Sequence, residues 1–296
     1  MVLGLDPDPR ALWPLADGRE SQARAGGSET PRPAQAAADA IVRHCRALID
    51  AAGPACVAVK PQLARFELLG AAGWAALEAV IAHARGAGLL VIVDGKRGDI
   101  DVTAQAYAGA LLGGADSPFG HIDGLRADLA TVNPLMGGDA VEPFVSAARL
   151  LGSGVLVLVR TSNPGAADFE DLPLADSGTM WERIAMLVDR LGADGIGEAG
   201  LSDVGAVVGA TEPGHLQRAR ELMGNAPFLL PGVGAQGGRV EELAAAFAPG
   251  RAGGLISASR SIAAAHQVAG GEPAAAARAE AERLRASAWE LSDRFR

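Results

Sequence analysis

Aromatic residues are scarce in this chain, making up 4% of its 296 residues, with a single Tyr and seven Phe. Cysteine is scarcer still. Cys45 and Cys56 are too few for a disulfide framework and show neither CxxC nor Cys/His metal spacing, so a reduced cytoplasmic setting is the simple expectation. The opening MVLGLDPDPR offers no cationic leader and no apolar core of signal-peptide length. Apolar runs elsewhere, such as Gly154 to Val159, stop far short of the roughly 20 residues that span a bilayer, so no membrane association is expected. A basic stripe with interleaved aromatics is also missing, and 26 basic against 35 acidic residues leave a formal charge of -9, which argues against a dedicated nucleic-acid binder. An anionic small molecule stays in play, because a few local cations at a pocket can outweigh the global field.

What the chain does have is a 49% hydrophobic, Ala- and Gly-rich composition, that of a packed globular core rather than a disordered polymer. Short apolar runs alternate with longer helical patterns. The runs are Val2 to Leu5, Cys56 to Val59, Leu89 to Val93, Ala130 to Val132, Val155 to Val159, Ala206 to Val208, Phe228 to Leu230 and Gly254 to Ile256. Strands that are apolar throughout, instead of alternating, belong to parallel sheets covered on both faces. Between them, Phe66, Leu69, Leu77, Val80, Ile81 and Ala84 recur at threes and fours and predict a helix with one apolar stripe. Another helix starts near Pro213 and stops at Gly224, and Leu284, Ala288, Leu291 and Phe295 predict a docked C-terminal helix. Eight such strands separated by helices predict a single (β/α)8 TIM barrel domain over residues 1–296, with an open doubly wound sheet as the competing architecture. The surplus over a minimal barrel falls into two polar, Gly-rich insertions at about 17–33 and 113–126, the former expected to be poorly ordered.

In a parallel barrel the chemistry sits at the C-terminal ends of the strands. There the chain carries Asp6, Lys60, Asp94 with Lys96, Asn133, Arg160 to Ser162, Gly209, Pro231 onward, and Ser257 to Arg260. The third run ends Asp94-Gly-Lys96-Arg-Gly-Asp99-Ile100-Asp-Val-Thr103. Strand positions two apart face one side, so Asp94 and Lys96 both point toward the barrel mouth, with Asp99 a turn further on. Taken alone, DGKRGD is as readily a solvated turn. Lys60, on the preceding strand, makes a quartet of two cations and two carboxylates, which is either an ion-pair network or a tuned catalytic one.

A second string, Pro231-Gly-Val-Gly234-Ala-Gln236-Gly-Gly238, matches G-x-G-x-x-G after a strand. A dinucleotide reading needs an acidic residue at the end of the next strand, but that strand ends Ser257-Ala-Ser-Arg260. Glycines for close backbone approach plus a guanidinium fit a phosphate monoester at the loops after strands seven and eight. The loop opened by Arg160-Thr-Ser162-Asn-Pro-Gly165 runs to about Ser177 and has the length of a binding loop. The five histidines (44, 83, 121, 215 and 266) show no metal spacing and read as structural or surface residues. No G-x-S-x-G elbow is present, against an α/β-hydrolase.

Taken together, D-x-K-x-x-D-I-x-x-T at 94–103, PGVGAQGG at 231–238 and S-R-S at 259–261 resemble the orotidine 5'-phosphate decarboxylase family. LGLDPDP at the start, VKPQ at 59–62, VNPLMGGD at 132–139 and TSNPG at 161–165 resemble its longer bacterial branch. The resemblance covers roughly residues 2–263 and implies a homodimeric, cytoplasmic barrel that converts orotidine monophosphate to UMP and carbon dioxide without metal or cofactor. By motif position it implies a charged catalytic network of Lys60, Asp94, Lys96 and Asp99, the last reaching into the partner subunit's site along with Ile100 and Thr103. It implies further that Asp6 joins Lys60 in holding the ribose hydroxyls, Ser162 contacts the pyrimidine, and Gln236 and Arg260 grip the phosphate. The chain opens almost directly on its first strand, where relatives carry a preceding segment, so the bottom of the barrel is expected to be less well covered. The rivals are a magnesium-dependent barrel of the 3-keto-hexulose-6-phosphate type, a non-catalytic phosphate-binding barrel and a dehydrogenase. The first has a metal-ligating glutamate where this chain has Lys60; the second would not need the charged quartet; the third lacks its ribose carboxylate.

Overall fold

Each apolar run becomes a strand, and the segment after it turns back as a helix, except after Phe228–Leu230, where the described return consists of short 3-10 turns. A computed structural model describes residues 1–14, 32–175, 178–234, 237–248 and 250–295. In chain order the elements are β1 (Val2–Leu5), α1 (Pro33–Ala52), β2 (Ala58–Pro61), α2 (Leu63–Glu67), α3 (Ala71–Gly86), β3 (Leu90–Arg97) and α4 (Asp101–Ala108). There follow β4 (Ala115–Ser117), β5 (Gly120–Ile122), β6 (Leu129–Val132), α5 (Gly138–Leu151), β7 (Gly154–Arg160), α6 (Met180–Gly192) and β8 (Val204–Val208). The last are α7 (Pro213–Leu222), β9 (Phe228–Leu230), β10 (Gly254–Ala258), α8 (Arg260–Ala263), α9 (Ala265–Ala269) and α10 (Pro273–Ser292). Eight strands hydrogen-bond in the closed order β1-β10-β9-β8-β7-β6-β3-β2, the paired ones in parallel, as a (β/α)8 barrel requires.

All eight expected strands are present, β1 and β9 with the expected bounds and the others with shifted ends. β2 starts at Ala58 rather than Cys56, and β3 continues through Arg97 instead of stopping at Val93. The single helix expected over Phe66 to Ala84 is two, because the chain turns at Leu68 to Gly70 before α3 begins. The insertion at 113–126 contains an antiparallel hairpin, β4 paired with β5 from Ala115↔Ile122 to Ser117↔Gly120. Most of the insertion at 17–33 falls outside the described residues, and its last residue, Pro33, already opens α1 at the helix position where a proline costs nothing. No helix among the described residues is long and apolar enough to cross a membrane.

The chain divides into two compact units: residues 2–91 with 259–282, and Met1 with 92–258 and 283–296. In the first, β1 and β2 are buried along their whole length, and α1 lays Ile41, Cys45, Leu48, Ile49 and Ala52 as one buried stripe. Trp13 closes this unit: its backbone N–H donates to His44 Nδ1 at 3.2 Å, and its indole N–H donates to the Ala263 carbonyl at 2.8 Å. Burial pushes the His44 pKa down to about 4, so the ring is neutral at physiological pH and Nδ1 is available as the acceptor. Burial, with the Asp6 carboxylate adding to it, pushes the neighbouring Cys45 thiol up, and Cys45 and Cys56 are not joined by a disulfide.

In the second unit β8 is buried end to end, and Phe144 and Phe228 have no exposed surface, each contributing about 1.5–3 kcal/mol by leaving water. Arg220, at the end of α7, is buried with no carboxylate beside it among the described residues. It donates to the carbonyls of Met223 and Ala226 at 2.8 Å and of Ala246 at 2.9 Å, and stacks 3.8 Å from the centroid of the Phe228 ring. Burial pushes its pKa down to about 10, which still leaves it charged at neutral pH. One guanidinium thus ties the turn after α7 to the segment that leads into β10.

Candidate active site

The strongest cluster of the second unit lies where β3 meets β6. Ile92↔Leu129 and Val93↔Ala130 pair in register, and the next pair is Arg97↔Val132, so Asp94, Gly95 and Lys96 together face Thr131. This is a β-bulge, and Lys96 sits in it at φ +46°, a left-handed conformation that side-chain-bearing residues rarely adopt. Lys96 Nζ donates to Asp94 Oδ1 at 2.6 Å. The Thr131 hydroxyl donates to the same Oδ1 at 3.0 Å and accepts the backbone N–H of Lys96 at 2.9 Å. Asp94 and Thr131 are buried, while the Lys96 side chain keeps 38% of its surface exposed. A cation and an anion are therefore fixed side by side, with the cation facing solvent. Strand alternation predicts that Asp94 and Lys96 share a side; they meet through a bulge that alternation does not describe.

Asp99 follows at the entrance of α4, its Oδ1 accepting the Ile100 N–H at 2.8 Å. Ile100, Val102 and Thr103 are exposed, Val102 to 75%, which makes the start of α4 a partly apolar ridge.

β7 delivers a second cluster. Arg160, buried at the strand's end, makes a bidentate pair with Asp171, both N···O distances 2.9 Å, and reaches Glu170 at 3.3 Å. Glu170 in turn accepts the Thr161 N–H at 2.8 Å and the Thr161 hydroxyl at 2.9 Å. The loop opened by TSNPG is thereby pinned back on its own first residues, and at its far end Thr179 and Glu182 form a capping box on α6. Ser162, next to Thr161, lies against Gly209 at the end of β8, where an added Cβ would stand 2.9 Å from the Ser162 Cβ and 3.0 Å from its Cα and N. Gly209→Ala therefore displaces the Ser162 backbone, and is expected to lower kcat/KM by about tenfold to a hundredfold through misplacement alone. Steady-state kinetics alongside thermal melting checks this; a loss of melting temperature with unchanged kcat/KM defeats it.

The glycine loop after β9 closes on itself, Gly234 N–H donating to the Gly238 carbonyl at 3.0 Å and Gly238 N–H to the Gly232 carbonyl at 3.1 Å. Gly232, Gly234 and Gly237 all have positive φ, conformations that favour glycine and let backbone amides face a ligand. Gln236 falls outside the described residues.

The remaining expected residues belong to the first unit. Lys60 pairs in register with Gly4 and is buried, while Arg260 is exposed at the start of α8. Asp6 and Arg260 line a pocket of about 520 Å³ together with Gln62, Arg65, His44 and His266. Asp6 Oδ1 is buried there with no hydrogen-bond partner among the described residues. Asp8, on the rim, accepts from Arg10 Nη2 at 2.7 Å and lies 3.5 Å from Arg65 Nη1; the Arg10 hydrogen bonds hold its carboxyl well below the usual carboxylate range.

Several of these residues escape a reading of the sequence. Thr131 is one small polar residue in an apolar run, and Glu170 and Asp171 lie in a loop with no periodicity. His44 and His266 both line the pocket, and His44 also has the structural role expected of it as acceptor of the Trp13 N–H. One compositional signal was available: Lys60 and Lys96 are the chain's only lysines, all its other basic residues being arginine.

The sequence profile of the family described as "Orotidine 5'-phosphate decarboxylase / HUMPS family" matches residues 3–279. An orotidine 5'-phosphate decarboxylase of Rhodopirellula baltica is 41% identical over 269 residues, 90% of this chain and 83% of that protein. One from Deinococcus radiodurans is 46% identical over 239 residues, 80% of this chain and 81% of that protein. Among solved structures, the OMP decarboxylase of Leishmania donovani superposes with a TM-score of 0.71 at 32% identity, covering 97% of this chain and 93% of that one.

Proposed function

The chain belongs to the orotidine 5'-phosphate decarboxylase / HUMPS family, its activity is the decarboxylation of orotidine 5'-phosphate to UMP in pyrimidine biosynthesis, and we propose that Lys96 is the proton donor of that reaction. The observation that carries the proposal is the Lys96 ammonium held 2.6 Å from a buried carboxylate and left open on its other side. Carbon dioxide leaves with its carbon, and the bonding electron pair stays on the ring carbon in the plane of the pyrimidine, where the π system cannot spread it. Lys96 stands next to that developing charge as a fixed cation and then delivers the proton that replaces the carboxylate. Asp94 orients the ammonium and stands near the substrate carboxylate, where its charge disfavours the ground state. Ser162 contacts the pyrimidine, Asp6 and Lys60 hold the ribose hydroxyls, and the glycine loop with Gln236 and Arg260 grips the phosphate. Binding energy gathered at the phosphate is then used to close loops and exclude water at the reacting carbon.

The same reading makes residues 1–296 one barrel domain and the enzyme a cytoplasmic homodimer working without metal or cofactor. Asp99, with Ile100 and Thr103, enters the partner's site. The exposed ridge of Ile100 and Val102 supports this, since apolar side chains beside a functional carboxylate call for a cover. Purified protein incubated with orotidine 5'-phosphate, with loss of the orotate chromophore followed optically, tests the reading. Turnover that is unchanged by EDTA is expected; absence of turnover defeats it, and loss of turnover with EDTA points to the magnesium-dependent branch.

A further inference from the structure

We propose that Thr131 is a positioning residue for proton transfer, its single hydroxyl fixing both the Lys96 backbone and the Asp94 carboxylate. The inference rests on the reading of Lys96 as proton donor. Thr131 lies in the middle of β6 between Ala130 and Val132, with no exposed surface. A hydroxyl in such a place is costly unless both its capacities are used. Here they are used inside the site: the oxygen accepts the Lys96 N–H at 2.9 Å and the hydrogen goes to Asp94 Oδ1 at 3.0 Å.

The register explains why such a clamp is needed. Along a regular strand, residues two apart stand roughly 7 Å from each other, and a lysine held by its side chain alone sweeps a wide arc. Between Val93↔Ala130 and Arg97↔Val132, three residues of β3 occupy the space opposite one residue of β6, so the backbone from Asp94 to Lys96 folds out of the regular pleat. That fold puts Lys96 at φ +46°, a conformation that persists only when its surroundings over-determine it. The Thr131 oxygen supplies that determination at the amide of Lys96, and its hydrogen sets which way the carboxylate faces. With Lys96 Nζ also on Oδ1 at 2.6 Å, lysine, aspartate and threonine form a closed triangle whose third corner has no exposed surface.

The test compares Thr131→Val, which keeps the shape and deletes the hydroxyl, with Thr131→Ser, which keeps the hydroxyl. Both are made in the full chain and assayed with orotidine 5'-phosphate, with UMP affinity measured by calorimetry. Loss of one oriented bond to each of two catalytic groups predicts that Thr131→Val lowers kcat about tenfold to a hundredfold, with KM and UMP affinity within about threefold of the parent. Thr131→Ser is expected to restore kcat to within about threefold. Unchanged kcat in Thr131→Val overturns the proposal, as does a Thr131→Ser variant that is as slow as Thr131→Val. A fall in UMP affinity that matches the fall in kcat also overturns it, because general damage to the site then accounts for both. Should Thr131→Val not fold, Thr131→Ala replaces it with the same expectations. Lys96→Ala is run alongside: if it turns over normally, the underlying reading of Lys96 has failed, whereas an inactive Lys96→Ala beside a fully active Thr131→Val defeats the positioning role alone.

Discussion

Lys96→Ala is expected to cut kcat by roughly 10⁴-fold or more while leaving UMP binding largely intact. The size follows from two losses at one atom. General acid catalysis by a positioned group contributes about 10²–10⁴-fold, and a preorganised charge aimed at a developing anion contributes a further factor of at least about 10². A 10⁴-fold loss corresponds to about 5.5 kcal/mol of transition-state stabilisation, well within what enzymes supply. The ground-state complex is expected to lose little, because the residues proposed to hold ribose and phosphate are others, so KM moves far less than kcat. Removing Lys96 also takes away the ammonium that stands 2.6 Å from the buried Asp94 carboxylate, so some loss of stability accompanies the loss of rate. Lys96→Arg is expected to rescue poorly, since a guanidinium keeps the charge but gives up its proton reluctantly. Single-turnover measurement of UMP formation checks all of this; a rate within about tenfold of the parent removes Lys96 from the chemistry.

The second large effect is a recovery. Lys96→Ala and Asp99→Ala are each expected to be nearly inactive alone. Mixed and allowed to exchange subunits, they are expected to regain activity, because a two-fold dimer that shares residues across its interface gathers both mutations into one of its two sites. The other site is then intact. Random pairing makes about half the dimers mixed, so about a quarter of all sites recover. Activity that rises as subunits exchange, followed by native mass spectrometry, is the expected record. Complete exchange without recovery places Asp99 in its own subunit's site. The exposed start of α4, with Asp99 locked on the Ile100 amide, is the reason to expect recovery: the carboxylate is held at the edge of an uncovered apolar ridge.

The strands were legible because both of their faces are covered, and contiguous apolar residues such as Val204–Val208 have no other economical place in a fold. Their charged ends were legible too, since Asp94 and Lys96 stand out after five apolar positions. The geometry that joins them was not, because a bulge is decided by the neighbouring strand. Nothing within Leu89 to Thr103 says that one residue of β6 will face three of β3. The Arg160, Glu170 and Asp171 anchor was hidden for a related reason: it closes a loop, and loop closure has no period. The hairpin of β4 and β5 lay inside a segment recognised only as polar and Gly-rich, although Ser117-Pro-Phe-Gly120 has the residues of a turn. The break before α3 was masked by apolar spacing that continues at threes and fours on either side of it.

The burial of Lys60 and the half-open position of Lys96 also bear on how this protein can be handled. With every other basic side chain a guanidinium, the accessible side-chain amine of the described surface is the one proposed to do the chemistry. Acylating labels, amine-coupled sensor surfaces and lysine crosslinkers would fasten the molecule by a chain terminus or by its active site. Substrate or UMP in the mouth of the barrel would then act as a protecting group.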